Sequence, residues 1–198
     1  MHQSLVAHQH QAILEASRRI GFAMNIDALT GSLLRTLAAS KPGGHFLELG
    51  TGTGLSTAWL LEGMDAASTL ISIENDLACV QIAQEFLGTD PRLTLLTEDA
   101  DAWLNRNEVQ FDFIFADTWA GKYRLLDAAL EALKPGGLYV IDDLLPQPNW
   151  PEGHHAKADA LLADLTTRPD LQTTTLDWST GILIGVKKHP PSEHTRGM

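Results

Sequence analysis

Phe46-Leu47-Glu48-Leu49-Gly50-Thr51-Gly52-Thr53-Gly54-Leu55-Ser56-Thr57 is the segment on which the fold turns. An apolar run of strand length enters a glycine-rich turn, and residues 58–61 begin a helix. Glycines at such a junction take positive φ and let a ligand approach the backbone closely. Outward from this unit the same alternation repeats. Upstream, Ile13, Leu14 and Ile20 mark one helix, and Leu29, Leu33, Leu34 and Leu37 share one face of a second, which stops at Lys41-Pro42-Gly43-Gly44. Residues 45–50, 69–73, 93–96, 111–116 and 138–141 read as strands separated by helical spacing. Leu125, Leu126, Ala129, Leu130 and Leu133 predict a helix closed by Lys134-Pro135-Gly136-Gly137, and Leu161, Leu162 and Leu165 another. Residues 171–176 and 181–186 follow one another through a short 177–180 link, so an antiparallel pair should end the sheet.

This order predicts an α/β fold: a doubly wound, seven-stranded, mostly parallel sheet with one reversed strand near the C-terminus. Residues 1–42 form a helical cap on the same domain, 43–187 the core, and 188–198 a disordered tail. The chain has 198 residues with 44% apolar and 20% charged side chains, the balance of one globular domain. It carries 14 Lys and Arg against 25 Asp and Glu, net −11, which disfavours nucleic acid and anionic membrane surfaces as partners. The single Cys79 excludes an internal disulfide and fits a reducing compartment. No run approaches the ~20 apolar residues of a membrane span. The start, MHQSLVAHQHQ, lacks the features of a signal peptide. A cytoplasmic protein is expected. His2, His8 and His10 are expected to be solvated.

The ligand follows from spacing. A dinucleotide fingerprint needs G-x-G-x-x-G, but Leu55 stands where the third glycine belongs. The pattern is E-x-G-x-G-x-G, and Glu48 ahead of the glycines would repel a pyrophosphate while suiting a cationic ligand. That favours an adenosyl sulfonium with an amino-acid tail over NAD. Ile71-Ser72-Ile73-Glu74 ends the next strand with an acid about 20 residues on, the spacing of a carboxylate that accepts from both ribose hydroxyls.

With these motifs in order, the chain resembles a class I S-adenosylmethionine-dependent methyltransferase, and within that class the small catechol O-methyltransferase-like and caffeoyl-CoA O-methyltransferase-like family. The resemblance spans about residues 24–186 and implies a Rossmann-like methyltransferase fold. It implies S-adenosyl-L-methionine as cofactor and transfer of its methyl group to a small-molecule acceptor, most simply a hydroxyl. Met24 and Asn25 match the family's upstream contact. Glu48, Gly50, Thr51, Gly52 and Thr53 fall in the first cofactor motif, with Ser56 where the methionine carboxylate is held. Glu74 and Asn75 match the ribose acid and its neighbour, and Asp99 and Ala100 the segment against the adenine. Trp119 would offer an aromatic wall to the sulfonium.

Three acids converge at the same edge. Asp117 ends the fourth strand; Asp142 and Asp143 end the fifth. Such a cluster calls for a cation, and oxygen-only ligands suit Mg²⁺ or Ca²⁺. By resemblance Asp117, Asp142 and Asp143 would be metal ligands, with Asp117 and Asp142 catalytic and Asp117 also near the cofactor. Two departures stand out: Asp143 replaces the family's Asn, and Ala120 stands where its lysine base belongs. Lys122, offset by two residues, is the remaining candidate for that role or a carboxylate's partner. Trp150, Glu152, His154 and His155 in the proline-rich 144–155 loop are candidates for acceptor contact or a base. The alternatives are a metal-independent transfer to nitrogen or carboxylate, and a non-catalytic cofactor-binding module. A homodimer is compatible with the sequence.

Overall fold

The computed structural model describes residues 2–147 and 150–190. The expected tail beyond residue 190 lies outside the described residues. Two helices, α1 (His2–Arg19) and α2 (Ala28–Ala39), precede β1 (His45–Leu49), α3 (Leu55–Gly63), β2 (Thr69–Glu74), α4 (Leu77–Leu87) and β3 (Leu93–Thr97). There follow α5 (Ala100–Leu104), β4 (Phe111–Ala116), α6 (Leu126–Glu131), β5 (Leu133–Ile141), α7 (His154–Thr167), β6 (Leu171–Leu176) and β7 (Ile182–Lys187). The seven strands form one sheet in the order β3-β2-β1-β4-β5-β7-β6. All neighbours pair in parallel except β5–β7 and β6–β7, so β7 is the one reversed strand. No described helix is long and apolar enough to cross a membrane.

Both sheet faces are covered, which is why the central strands read as continuous apolar runs. One face packs Leu47, Leu49, Ile114 and Tyr139 against Trp103, Leu130 and Leu161; the other packs Phe46, Phe113 and Val140 against Ile13, Leu34 and Leu60. Strand order reverses between β1 and β4, and a crevice opens beyond their carboxyl ends, where sheets of this kind bind ligands.

Three local expectations are corrected. The helix expected to run to Leu133 ends at Glu131, and β5 starts at Leu133 and passes through Lys134-Pro135-Gly136-Gly137. A register shift absorbs the glycines: Phe111 pairs with Leu133, then Phe113 with Leu138. In α2 the buried positions are Thr30, Gly31, Leu34 and Ala38, whereas Leu29 is 53% exposed. The face is rotated because small residues admit a close neighbour; a Cβ on Gly31 would lie 2.3 Å from the Trp59 indole of α3. His10 is buried, its ring 4.3 Å from that same indole.

The α2–α3 contact is tightest at Gly63, where an added Cβ would meet the Arg35 carbonyl oxygen at 2.1 Å. Backbone cannot swing aside as a side chain can. Gly63→Ala should cost about 2 kcal/mol, or roughly 4–8 °C in melting temperature. Calorimetry checks this, and an unchanged melting temperature would show that the helices part freely.

Candidate active site

The glycine turn is held from behind. Gly50, Gly52 and Gly54 all have positive φ, and at Gly50 a Cβ would press on the Asp117 carbonyl oxygen at 3.0 Å. The amides of Gly50 and Thr51 donate to the Ile73 carbonyl at 2.9 and 3.1 Å, tying the turn to β2. Glu48 is wholly buried, and its Oε2 accepts from the hydroxyls of Thr57 and Ser72, each at 2.5 Å. It does not line the crevice. It anchors the turn from beneath through Oε2, and its Oε1 has no hydrogen-bond partner.

Burial pushes the Glu48 carboxyl up to about 7, with its Ser and Thr donors opposing and the Glu74 charge adding a little. Such an acid is neutral in the fold where the unfolded chain would ionise. Stability should fall by on the order of 3 kcal/mol as pH rises from ~4.5 to ~7, and below that window nothing is lost. Glu48→Gln should flatten this slope in urea unfolding measured across it. An unchanged slope would assign the dependence to another group.

The segment from α1 to α2 closes over the turn. Thr53 is wholly buried; its hydroxyl lies 2.7 Å from that of Ser17 and donates to Asn25 Oδ1 at 3.0 Å. The Phe22 ring sits 2.9 Å from where a Cβ on Gly52 would be. Thr53 thus fixes the covering segment, and Met24, 72% exposed, is carried to the lip.

Glu74 ends β2 as expected. Its Oε2 accepts from the Gly52 amide at 2.9 Å, and its Oε1 from the amides of Asn75 and Asp76 at 2.9 and 3.0 Å. The carboxylate bridges the turn and the start of α4, facing a cleft of about 680 Å³, within the range of a small-ligand site. Met24, Asn25, Gly50, Thr51, Gly52, Ser56, Glu74, Asn75, Asp117 and Trp119 all line this cleft. Asp99 and Ala100 do not. Asp99 is the N-cap of α5, its Oδ1 accepting from the Ala102 amide at 2.8 Å.

Asp117, Lys122, Asp142 and Asp143 line the far end of the same cleft. Burial drives the Asp117 carboxyl well above its ordinary range; Lys122 opposes this, while Asp143, Asp142 and Glu48 add to it. Asp142 is likewise raised by burial, against hydrogen bonds from Thr180 and the Asp143 amide. The expected metal centre is not supported. Among the described residues no three His, Cys, Asp or Glu side chains come together as a set able to hold an ion. The chemistry of the donors gives the reason. Asp142 Oδ1 is engaged by the Thr180 hydroxyl and by the Asp143 amide at 2.8 Å, and the Lys122 ammonium already occupies the corner, donating to the Asp142 carbonyl oxygen at 2.7 Å.

An aromatic wall borders this end. Trp119, Tyr123, Trp150 and His154 all line the cleft; the His154 ring lies 5.1 Å from Tyr123, 5.8 Å from Trp119 and 4.5 Å from Trp150. Lys157 sits over the Trp119 ring at 4.7 Å. His154 is buried, and its Nδ1 and the Tyr123 hydroxyl lack partners. Burial lowers the His154 pKa, with Lys122 and Lys157 adding to the effect and Asp143 opposing it. His155 stays at the surface, 3.6 Å from Asp159.

Tyr123 and Thr180 escaped the sequence reading. Tyr123 adjoins Lys122, and that nearness was the signal available. Thr180 has none, because the β6–β7 turn carries it in from far along the chain: the amides of Leu144 and Leu145 donate to the carbonyls of Gly181 and Thr180 at 3.1 and 2.8 Å.

A family model described as a methyltransferase domain matches residues 47–144. The "Putative O-methyltransferase" of Mycobacterium avium (strain 104) is 33% identical over 156 residues, covering 70% of this chain and 69% of that protein. The catechol O-methyltransferase of Niastella koreensis is 26% identical over 153 residues, covering 71% and 69%. The crystal structure of the O-methyltransferase from Bacillus cereus in complex with SAH superposes with a TM-score of 0.80 at 21% identity, covering 91% of each chain. At that identity the likeness is one of fold.

Proposed function

This chain belongs to the S-adenosylmethionine-dependent O-methyltransferases, and from that premise we propose that its cleft holds S-adenosylmethionine along the glycine turn and a small hydroxylated acceptor against the aromatic wall. The observation that carries the reading is the joining of two chemistries in one cleft. Glu74 and the open backbone of the glycine turn lie at one end, and an unpartnered imidazole nitrogen among aromatic rings at the other. Glu74 takes the ribose, Ser56 the amino-acid tail, and Met24, Asn25 and Asn75 the rim. Asp99 and Ala100, outside the cleft lining, reach the adenine only from its edge.

The donor brings an electrophilic methyl on a sulfonium: the acceptor oxygen forms the C–O bond as the C–S bond breaks, the electron pair stays on sulfur, and the hydroxyl proton leaves. The protein's task is alignment and deprotonation. The imidazole of His154, which lines this end of the cleft, receives that proton. Asp117, beside the glycine turn, and Asp142, fixed by Thr180, keep the polar end in place. No step is assigned to a divalent ion.

Calorimetry with S-adenosylhomocysteine, followed by transfer of labelled methyl to a panel of phenols and catechols, tests the reading. Tight binding and label on oxygen are expected. Absence of binding, or label on nitrogen or carboxylate alone, would overturn it.

A further inference from the structure

Lys122 is 4% exposed, and burying an ammonium costs several kcal/mol unless it is paired. Its position is built in. The Trp119 carbonyl accepts from the amides of Lys122, Tyr123 and Arg124 at 3.2, 2.9 and 3.0 Å, closing a tight turn. The Tyr139 hydroxyl donates to the Gly121 carbonyl from the floor of the sheet. Gly121, at φ +76°, passes so near β1 that a Cβ would meet Leu49 Cδ1 at 2.6 Å. The turn cannot slide, so the side chain of Lys122 has a fixed root. Nζ uses one N–H on the Asp142 carbonyl oxygen and lies 5.7 Å from the centre of the Tyr123 ring. Two N–H groups remain, in a cleft shared with Asp117, Asp142 and Asp143.

We propose that the Lys122 ammonium is the resident cation of this acidic cluster, standing where a divalent ion would otherwise be needed. A cation of this kind needs no loading, and its charge favours the ionised forms of Asp117 and Asp142 without their gathering around a metal.

The test uses the full chain treated with EDTA, melted with and without millimolar MgCl₂, CaCl₂ or MnCl₂, beside Lys122→Ala and Lys122→Arg. The wild-type protein and Lys122→Arg should show no shift with any of the ions. Lys122→Ala leaves the carboxylates uncompensated and should gain a shift of roughly 3–6 °C with ion at about tenfold over its Kd. Were Lys122→Ala to fold only in the presence of the ion, that rescue would support the assignment equally. A wild-type shift that Asp142→Asn abolishes would overturn it, as would a folded Lys122→Ala indifferent to all three ions or an unfolded one that none of them rescues. Calorimetry with S-adenosylhomocysteine is run on the same samples. If the wild-type protein fails to bind it, the cofactor reading falls while the cation results stand.

Discussion

Glu74→Ala should weaken S-adenosylhomocysteine binding by roughly 10²–10³-fold while leaving the chain folded. A carboxylate has about four acceptor positions. Three are taken by the amides of Gly52, Asn75 and Asp76. One remains, on Oε2, so this acid takes one ribose hydroxyl rather than the two expected from its spacing. Loss of one charge-assisted hydrogen bond accounts for about 1.5–3 kcal/mol. The rest comes from the Gly52 amide, which loses the partner that holds the turn open to the ligand. Glu74→Gln keeps acceptor oxygen without the charge and should lose only about tenfold. Isothermal calorimetry reads both. If the alanine variant binds within threefold of wild type, the ribose does not sit on Glu74.

What the sequence could show about this site divides along physical lines. The β1–turn–α3 unit and Glu74 were legible because their chemistry is local: strand, glycines and acid lie within 30 residues and are joined by direct hydrogen bonds. The seven strands and the reversed β7 followed from periodicity alone. Three features were not legible. The rotation of α2 depends on Gly31 meeting Trp59, a pairing made only in three dimensions. The start of β5 depends on a register shift against Phe111 and Phe113 that lets glycines lie in a strand. The acidic cluster suggested a metal because the sequence shows charges without their donors. Thr180 and the Lys122 ammonium, which meet that charge, arrive through turns whose direction no spacing encodes. One-dimensional order also cannot tell whether an acid such as Glu48 faces a ligand or the floor beneath it.

The second large effect belongs to His154. Its Nδ1 is buried and unpartnered in the cleft wall, and burial lowers its pKa from the ordinary 6.5 with the help of Lys122 and Lys157. Lowering favours the neutral imidazole, so near neutral pH the base is already free to accept a proton. The activity of the wild-type enzyme should therefore fall on the acid side at a pH below 6.5, not above it. His154→Gln preserves the size and polarity of the side chain but removes the basic nitrogen. It should lower kcat by roughly 10²–10³-fold, abolish that acid limb, and leave S-adenosylhomocysteine affinity within about twofold of wild type, since the ring stands at the acceptor's end of the cleft. Lys122→Arg should keep the limb, whereas Lys122→Ala, by removing the cation that lowers this pKa most, should move it upward. A purely structural role for His154 predicts a different pattern: parallel losses in melting temperature, affinity and kcat, with the acid limb intact. Retention of that limb in a folded His154→Gln protein would assign the proton to another acceptor, and Asp117 would be the next group to replace.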